Sequence, residues 1–291
     1  MAGSSSGAGY IEKGSGIPVV MIPGAEGCKE FWHFQVDALS TRYRAIATDL
    51  LVKKPSRSSC VADYAAYTLG VMDSLGVERA VIVGESFGGM VTQEIAINHP
   101  GRTLAVVLCN TMDRPRGDAF GFNMFTLATI VAMLGSGPMI PLETRKRILM
   151  WAGKHRGLVY DSTPGNKDLV DYFTGYGSAH GMMAQVDRFL FAGRKARFTE
   201  RLCEISVPTL VMHGTEDRIA TANTITGIAG RIPRAEVALV EGAGHCHQQT
   251  MPDMTNSLLL EWLSKVTAGM RVPKEIDGNG NGASRGTPAC A

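Results

Sequence analysis

No run of lysines or arginines in the chain has the look of a nucleic-acid or polybasic membrane patch. Its 29 basic and 27 acidic residues leave a formal net charge of only +2. A surface built to hold a polyanion or an anionic membrane concentrates basic residues, so neither a nucleic-acid partner nor a polybasic membrane contact is expected. Cysteine is sparse. The six residues Cys28, Cys60, Cys109, Cys203, Cys246 and Cys290 are scattered without a C-x-x-C pair, which argues against a zinc ribbon or a disulfide framework. The reading is a cytoplasmic protein with reduced thiols that pack as small hydrophobes. The N-terminal "MAGSSSGAGY" lacks a basic region followed by an apolar one and is not a Sec-type signal peptide. The sequence also lacks an unbroken apolar run of membrane-spanning length. Residues 119–142, "AFGFNMFTLATIVAMLGSGPMIPL", carry no charge, but Gly135, Gly137, Pro138 and Pro141 interrupt them. What is left is shorter than the ~20 residues a bilayer requires. No His/Asp cluster has metal-ligand spacing. The glycine-rich "GAEG" and "EGAG" lack the Lys-Ser/Thr of a phosphate loop. Neither a metal nor another cofactor is expected.

What is present is alternation. "IPVVMIPG", "YRAIATDL", "RAVIVGE", "TLAVVLCN", "PTLVMHG" and "AEVALVEGAGH" read as strands. "KEFWHFQVDAL", "VADYAAYTLGVMDSLG", "FGGMVTQEIAINHP" and "MPDMTNSLLLEWLSKV" read as helices. Nearly continuous apolar strands alternating with helices predict an α/β fold, a mostly parallel sheet covered on both faces. Residues 114–200 break the pattern with several helical stretches and no clear strand, as a helical cap inserted between two strands would. The expected organisation is a flexible tail at 1–9, a core at 10–113, the cap at 114–200, the rest of the core at 201–268 and a second tail at 269–291.

Within the alternation, Gly84-Glu85-Ser86-Phe87-Gly88 fits G-x-S-x-G and lies between a predicted strand and a predicted helix. Glycines on both sides permit a tight turn that presents the serine hydroxyl at the carboxyl end of the sheet. An ordinary βα turn with an N-cap serine is the plain alternative. A serine hydroxyl needs a base, and the base needs an orienting carboxylate. Two later strands end in suitable loops. "PTLVMHGTEDRI" supplies Asp217, and "VALVEGAGHCHQQ" supplies His245. Competing residues are His247 and His213 for the base and Asp113, at another strand end, for the acid. Asp49 reads as structural and Cys28 and Cys246 as packing. Glu85 is read either as tuning the site or as paired with solvent or backbone.

On the residues "YIEKGSGIPVVMIPG", "VGESFGGM", "VPTLVMHGTEDRI" and "VEGAGHC", the chain resembles the α/β-hydrolase superfamily over about residues 10–268. Its "GGMVTQEIAINHPGRTLAVVLCNT" is similar to oxoadipate enol-lactonases and cofactor-free haloperoxidases. The resemblance implies the α/β-hydrolase fold, Ser86 as nucleophile, Asp217 as acid and His245 as base. It implies an oxyanion hole of the Phe87 and Ala25 N–H groups, with Gly24 permitting the turn. Pro23 stands where relatives often carry His, and "LLVKKPSRSS" replaces the glycine-rich turn that often follows the position of Asp49. The implied reaction is hydrolysis of a small ester or lactone through an acyl-enzyme. C–C bond hydrolysis, perhydrolysis or a lyase step on the same residues, and a non-catalytic ligand-binding protein, stay open. The apolar opening of the cap points to apolar substrates, with Phe125 and Met124 as contact residues. A preference for a charged enol-lactone would instead call on Arg188 or Arg194.

Overall fold

The computed structural model describes residues 9–51, 58–114 and 192–271, together with positions 141, 143, 144, 147 and 188. The predicted contact residues Phe125 and Met124, the uncharged segment and most of the expected cap and tails lie outside the described residues. Seven strands form one sheet in the order β1-β3-β2-β4-β5-β6-β7. They are β1 (Tyr10–Lys13), β2 (Pro18–Ile22), β3 (Arg44–Thr48), β4 (Ala80–Glu85), β5 (Thr103–Cys109), β6 (Thr209–Gly214) and β7 (Ala235–Val240). Only β1 runs antiparallel to its neighbour; the other pairings are parallel. The helices are α1 (His33–Leu39), α2 (Val61–Ser74), α3 (Phe87–Asn98), α4 (Ala222–Ala229) and α5 (Pro252–Val266).

The two-residue period of the strands divides the core into two layers. Val20, Ile22, Ile46, Ile82, Val106, Leu108 and Val211 pack with α2, α3 and α4. Val19, Met21, Ala45, Val81, Val83, Val107 and Met212 pack with Phe31, Trp32, α1 and α5. The central strands β2 and β4 are buried along their whole length, which is why they read as continuous apolar runs.

Three details differ from the sequence reading. "KEFW" is a 3₁₀ segment, Lys29–Trp32, and only His33–Leu39 is α-helical. β1 and α4 were not expected as elements. Cys28, Cys109, Cys203 and Cys246 are free thiols, but Cys60 is disulfide-bonded. The expectation of reduced thiols throughout is therefore corrected at Cys60. Sequence spacing carries no information on cysteines that only the fold brings together. Among the described residues, no helix is long and apolar enough to cross a membrane.

A single strand-to-strand crossover sets up the site. β5 ends at Cys109 and its parallel neighbour β6 begins at Thr209. The carboxyl ends of β4, β5, β6 and β7 thus stand side by side, each followed by a loop at the same edge of the sheet.

Candidate active site

Ser86 sits between β4 and α3 with φ 50° and ψ −115°. A non-glycine residue with positive φ is strained and persists only where its surroundings hold it. Here the Ser86 N–H donates to the Cys109 carbonyl at 3.0 Å, and the Ser86 carbonyl accepts from Thr111 Oγ1 at 2.6 Å. The flanking glycines are needed for close approach. A Cβ on Gly84 would run into Thr92 Oγ1 and the Gly88 carbonyl, and one on Gly88 into the carbonyls of Ile22 and Pro23.

His245 lies in the loop after β7, with Nε2 2.9 Å from Ser86 Oγ. Its other nitrogen, Nδ1, is 2.8 Å from Asp217 Oδ2. With the ring proton on Nδ1, the histidine donates to Asp217 and accepts from the Ser86 hydroxyl. Asp217 is itself fixed: its Oδ1 accepts from the backbone N–H groups of Ile219 (2.7 Å) and Ala220 (3.1 Å). Ser86, His245 and Asp217 therefore form a continuous chain of polar contacts, and the side chains of His245 and Asp217 are buried.

The competing residues stand elsewhere. Asp113 Oδ2 accepts from Thr199 Oγ1 at 2.5 Å, and the Asp113 carbonyl accepts from the Phe198 N–H at 2.8 Å. His247 is fully buried against Thr255 Oγ1 at 2.9 Å, and burial pushes its imidazole down to about 3. Asp49 accepts from the N–H and Nζ of Lys29 at 3.0 and 3.1 Å. Burial raises the Cys246 thiol well above its ordinary value and Cys109 to about 12, so both stay protonated.

Phe87 is the first residue of α3, where an N–H has no intrahelical acceptor. The Ala25 N–H has no hydrogen-bond acceptor among the described residues. Its carbonyl accepts from Arg188 Nε at 2.8 Å. The Gly24 N–H is engaged, donating to Glu26 Oε1 at 2.9 Å.

Three residues organise this edge: Asn110, which sequence reasoning did not single out, Arg188, which it offered as a substrate anion partner, and Glu85, which it read either as tuning the site or as paired with solvent or backbone. Asn110, with φ 44°, follows β5. Its Nδ2 donates to the carbonyls of His245 (2.5 Å) and Gly244 (3.2 Å). Its Oδ1 accepts from the Gly214 N–H at 3.0 Å and lies 3.0 Å from His213 Nδ1. An asparagine directly after a buried strand was the only available signal. Arg188 is fully buried. It also donates from Nη1 to the Leu50 carbonyl at 2.7 Å and from Nη2 to the Glu26 carbonyl at 3.2 Å. It grips the loop after β2. Glu85, 1% exposed, points its Oε1 to within 3.3 Å of His245 Nε2. Burial, then Glu26 and Asp217, raise the Glu85 carboxyl well above the usual carboxylate range. Glu26 is raised by burial too, opposed by hydrogen bonds and by the fields of Arg188 and His245. Among the described residues no cluster of three or more His, Cys, Asp or Glu could hold a metal ion.

Known proteins share this architecture. A family model described as "alpha/beta hydrolase fold" matches residues 17–250. A protein of Azorhizobium caulinodans named "Putative carbamate hydrolase RutD" is 27% identical over 265 residues, covering 88% of this chain and 95% of that protein. The 2-hydroxymuconate semialdehyde hydrolase of Pseudomonas sp. strain CF600 is 26% identical over 265 residues, covering 88% and 90%. Among solved structures, the enol-lactonase of Burkholderia xenovorans LB400 superimposes with a TM-score of 0.73 at 21% identity, covering 88% of this chain and 95% of that one.

Proposed function

Because the chain belongs to the alpha/beta hydrolase fold family, we propose that it is a serine hydrolase cleaving a carboxylic ester or lactone of a small, largely apolar substrate. The observation that carries this reading is the contact chain in which His245 lies 2.9 Å from Ser86 Oγ and 2.8 Å from Asp217. A hydroxyl within reach of an imidazole whose far nitrogen is held by a buried carboxylate is the arrangement that nucleophilic acyl transfer requires.

Ser86 Oγ attacks the carbonyl carbon while His245 Nε2 takes the hydroxyl proton. The tetrahedral oxyanion is held by the Phe87 and Ala25 N–H groups. Its collapse expels the alkoxide, which takes the proton from His245 and leaves an acyl-Ser86. Water then attacks the acyl carbon with His245 again as base, releasing the acid and restoring Ser86. Asp217 keeps the imidazole in the Nδ1–H tautomer and stabilises the imidazolium. The reaction consumes only substrate and water. Removal of one oxyanion donor from such a site costs ~10²–10³ in rate, so the position of the loop carrying Ala25 is as consequential as the nucleophile.

A second reading keeps the same residues but cleaves a C–C or carbamate bond. It is favoured by the two relatives named above, one a putative carbamate hydrolase and the other a hydrolase of 2-hydroxymuconate semialdehyde, a compound without an ester bond. Treatment with an organophosphonate followed by mass spectrometry tests the nucleophile. A single adduct on Ser86, absent in Ser86→Ala, is expected. A folded Ser86→Ala protein with undiminished turnover sinks the assignment. Relative kcat/KM on 4-nitrophenyl esters, a lactone, an aryl carbamate and a dienone then ranks the bond types. Absence of both adduct and turnover would leave a ligand-binding protein.

A further inference from the structure

Two carboxyl groups, Glu85 buried and Glu26 partly buried, meet beside the nucleophile. Glu85 ends β4, immediately before Ser86, and Glu26 lies in the loop after β2 that carries Ala25. They converge on Gly24. A Cβ at that glycine would run into Glu85 Oε2 and would stand 2.8 Å from Glu26 Oε2. Glu26 is fastened by the Gly24 N–H at 2.9 Å. Glu85 reaches His245 Nε2 at 3.3 Å, the nitrogen that also contacts Ser86 Oγ.

We propose that Glu26 and Glu85 form a carboxyl pair that carries one negative charge and filters substrates by charge, favouring cationic over anionic esters. The inference rests on the serine-hydrolase reading above and deepens it to a substrate class. Two carboxyls that converge on one glycine, with one of them buried, disfavour ionising together. Glu26 is the member that holds the negative charge, because it is the less buried of the two, its Oε1 accepts from the Gly24 N–H and the field of Arg188 supports its ionised form. Glu85 holds the proton, because it is buried and faces both Glu26 and Asp217. Among the described residues, the other groups facing the pair are His245, Arg188 and the protonated thiols of Cys109 and Cys246. His213 lies behind Asp217, its Nδ1 3.9 Å from Asp217 Oδ2. With His245 neutral, Glu26 and Asp217 outweigh Arg188 by one negative charge. An anionic group on a substrate bound at Ser86 enters that field and a cationic one is drawn to it. At an effective dielectric constant of ~20, a unit charge ~6–10 Å away changes relative rates about 10–100-fold.

The test uses the full-length protein and three 4-nitrophenyl esters of matched acyl length ending in a methyl, a sulfonate or a trimethylammonium group. Neither charged group titrates between pH 5 and 9. The wild-type protein is expected to show a cation-to-anion ratio of kcat/KM of about tenfold or more at pH 8. That ratio should rise with pH as the pair gives up protons. In Glu26→Gln/Glu85→Gln the ratio should fall toward unity and lose its pH dependence, which a merely structural role for the pair would not produce. A wild-type ratio near unity, or a double variant that keeps the wild-type ratio, overturns the proposal. If the double variant does not fold, the wild-type pH series decides, and a flat ratio overturns it. Turnover with an unselective ratio defeats the filter alone, whereas no turnover of any ester and no phosphonate adduct on Ser86 defeat the hydrolase reading and the filter together.

Discussion

Asn110 donates a 2.5 Å hydrogen bond to the backbone carbonyl of His245, while its other amide atom accepts from the last residue of β6, Gly214. One side chain thereby ties the end of β5 to the loops that carry Asp217 and His245. Replacement by alanine leaves several buried backbone groups unpaired, each at ~1–3 kcal/mol. Asn110→Ala is expected to lower stability by about 2–4 kcal/mol and to reduce kcat by about tenfold or more through misplacement of His245. Urea unfolding and steady-state kinetics on a neutral ester measure both. An unchanged kcat in a folded variant would show that the histidine loop holds its own position.

The acid is tested by ranking two substitutions. Asp217→Asn changes the group facing His245 Nδ1 and lets an amide favour the wrong tautomer, which in a comparable triad lowers kcat about 10⁴-fold. Asp113→Asn alters the link to Thr199, away from His245, and should act chiefly on stability. The reverse ranking in kcat would transfer the acid to the end of β5.

His247 gives a prediction in pH. Its imidazole titrates near 3 in the folded protein, against an ordinary value of 6.5, because burial disfavours the charged form. Between these values the unfolded chain binds a proton that the folded chain does not. Stability is therefore present in full above about 6.5 and declines as pH falls toward 3, by about 1.4 kcal/mol per pH unit. His247→Gln should show a shallower loss over the same interval in urea midpoints taken at pH 7, 6, 5 and 4. Parallel curves for the two proteins would contradict the assignment.

How far the sequence discloses such features depends on how local their signals are. Ser86 is marked by glycines whose spacing follows from the closeness of Gly88 to the Ile22 and Pro23 carbonyls. Asp217 and His245 follow apolar strands at a fixed place in the alternation, so their loops could be found without coordinates. The strands β2, β4 and β5 were legible for the same reason, since burial on both faces writes an unbroken apolar run. The helix α4, "ANTITGIA", was not, because threonines and a glycine favour turns and only Thr224, Ile225 and Ile228 face the core. The approach of Glu26 to Glu85 was equally hidden. Neither residue points to the other in sequence until β2 and β4 pair and bring their ends together.

Gly88→Ala should separate the needs of the turn from those of the nucleophile. The added methyl meets backbone carbonyls rather than a side chain that can swing aside. Overpacking of this kind costs ~1–3 kcal/mol. The displaced segment, Ile22 and Pro23, leads directly into Gly24 and Ala25, so kcat should fall together with stability. Thermal unfolding compared with kcat decides the point, and a fully active, fully stable variant is the outcome that refutes it.

Arg188 supports the last prediction. A cation in the expected cap looked like a partner for a substrate carboxylate, yet its guanidinium donates to the backbone carbonyls of Ala25, Glu26 and Leu50. The first two belong to the loop whose Ala25 N–H faces the oxyanion in the reading above, and Leu50 follows β3. Lysine carries the charge but not the planar fork, so it cannot reproduce three divergent hydrogen bonds. Arg188→Lys should therefore loosen the oxyanion loop and lower kcat by up to the ~10²–10³ associated with one lost oxyanion donor. KM should change little. Because the arginine acts through the loop, the loss should be equal for neutral and anionic esters. Parallel kcat and KM measurements on the methyl-terminated and sulfonate-terminated esters test this. A loss confined to the anionic ester, appearing mainly in KM, would return Arg188 to the role of substrate anion partner.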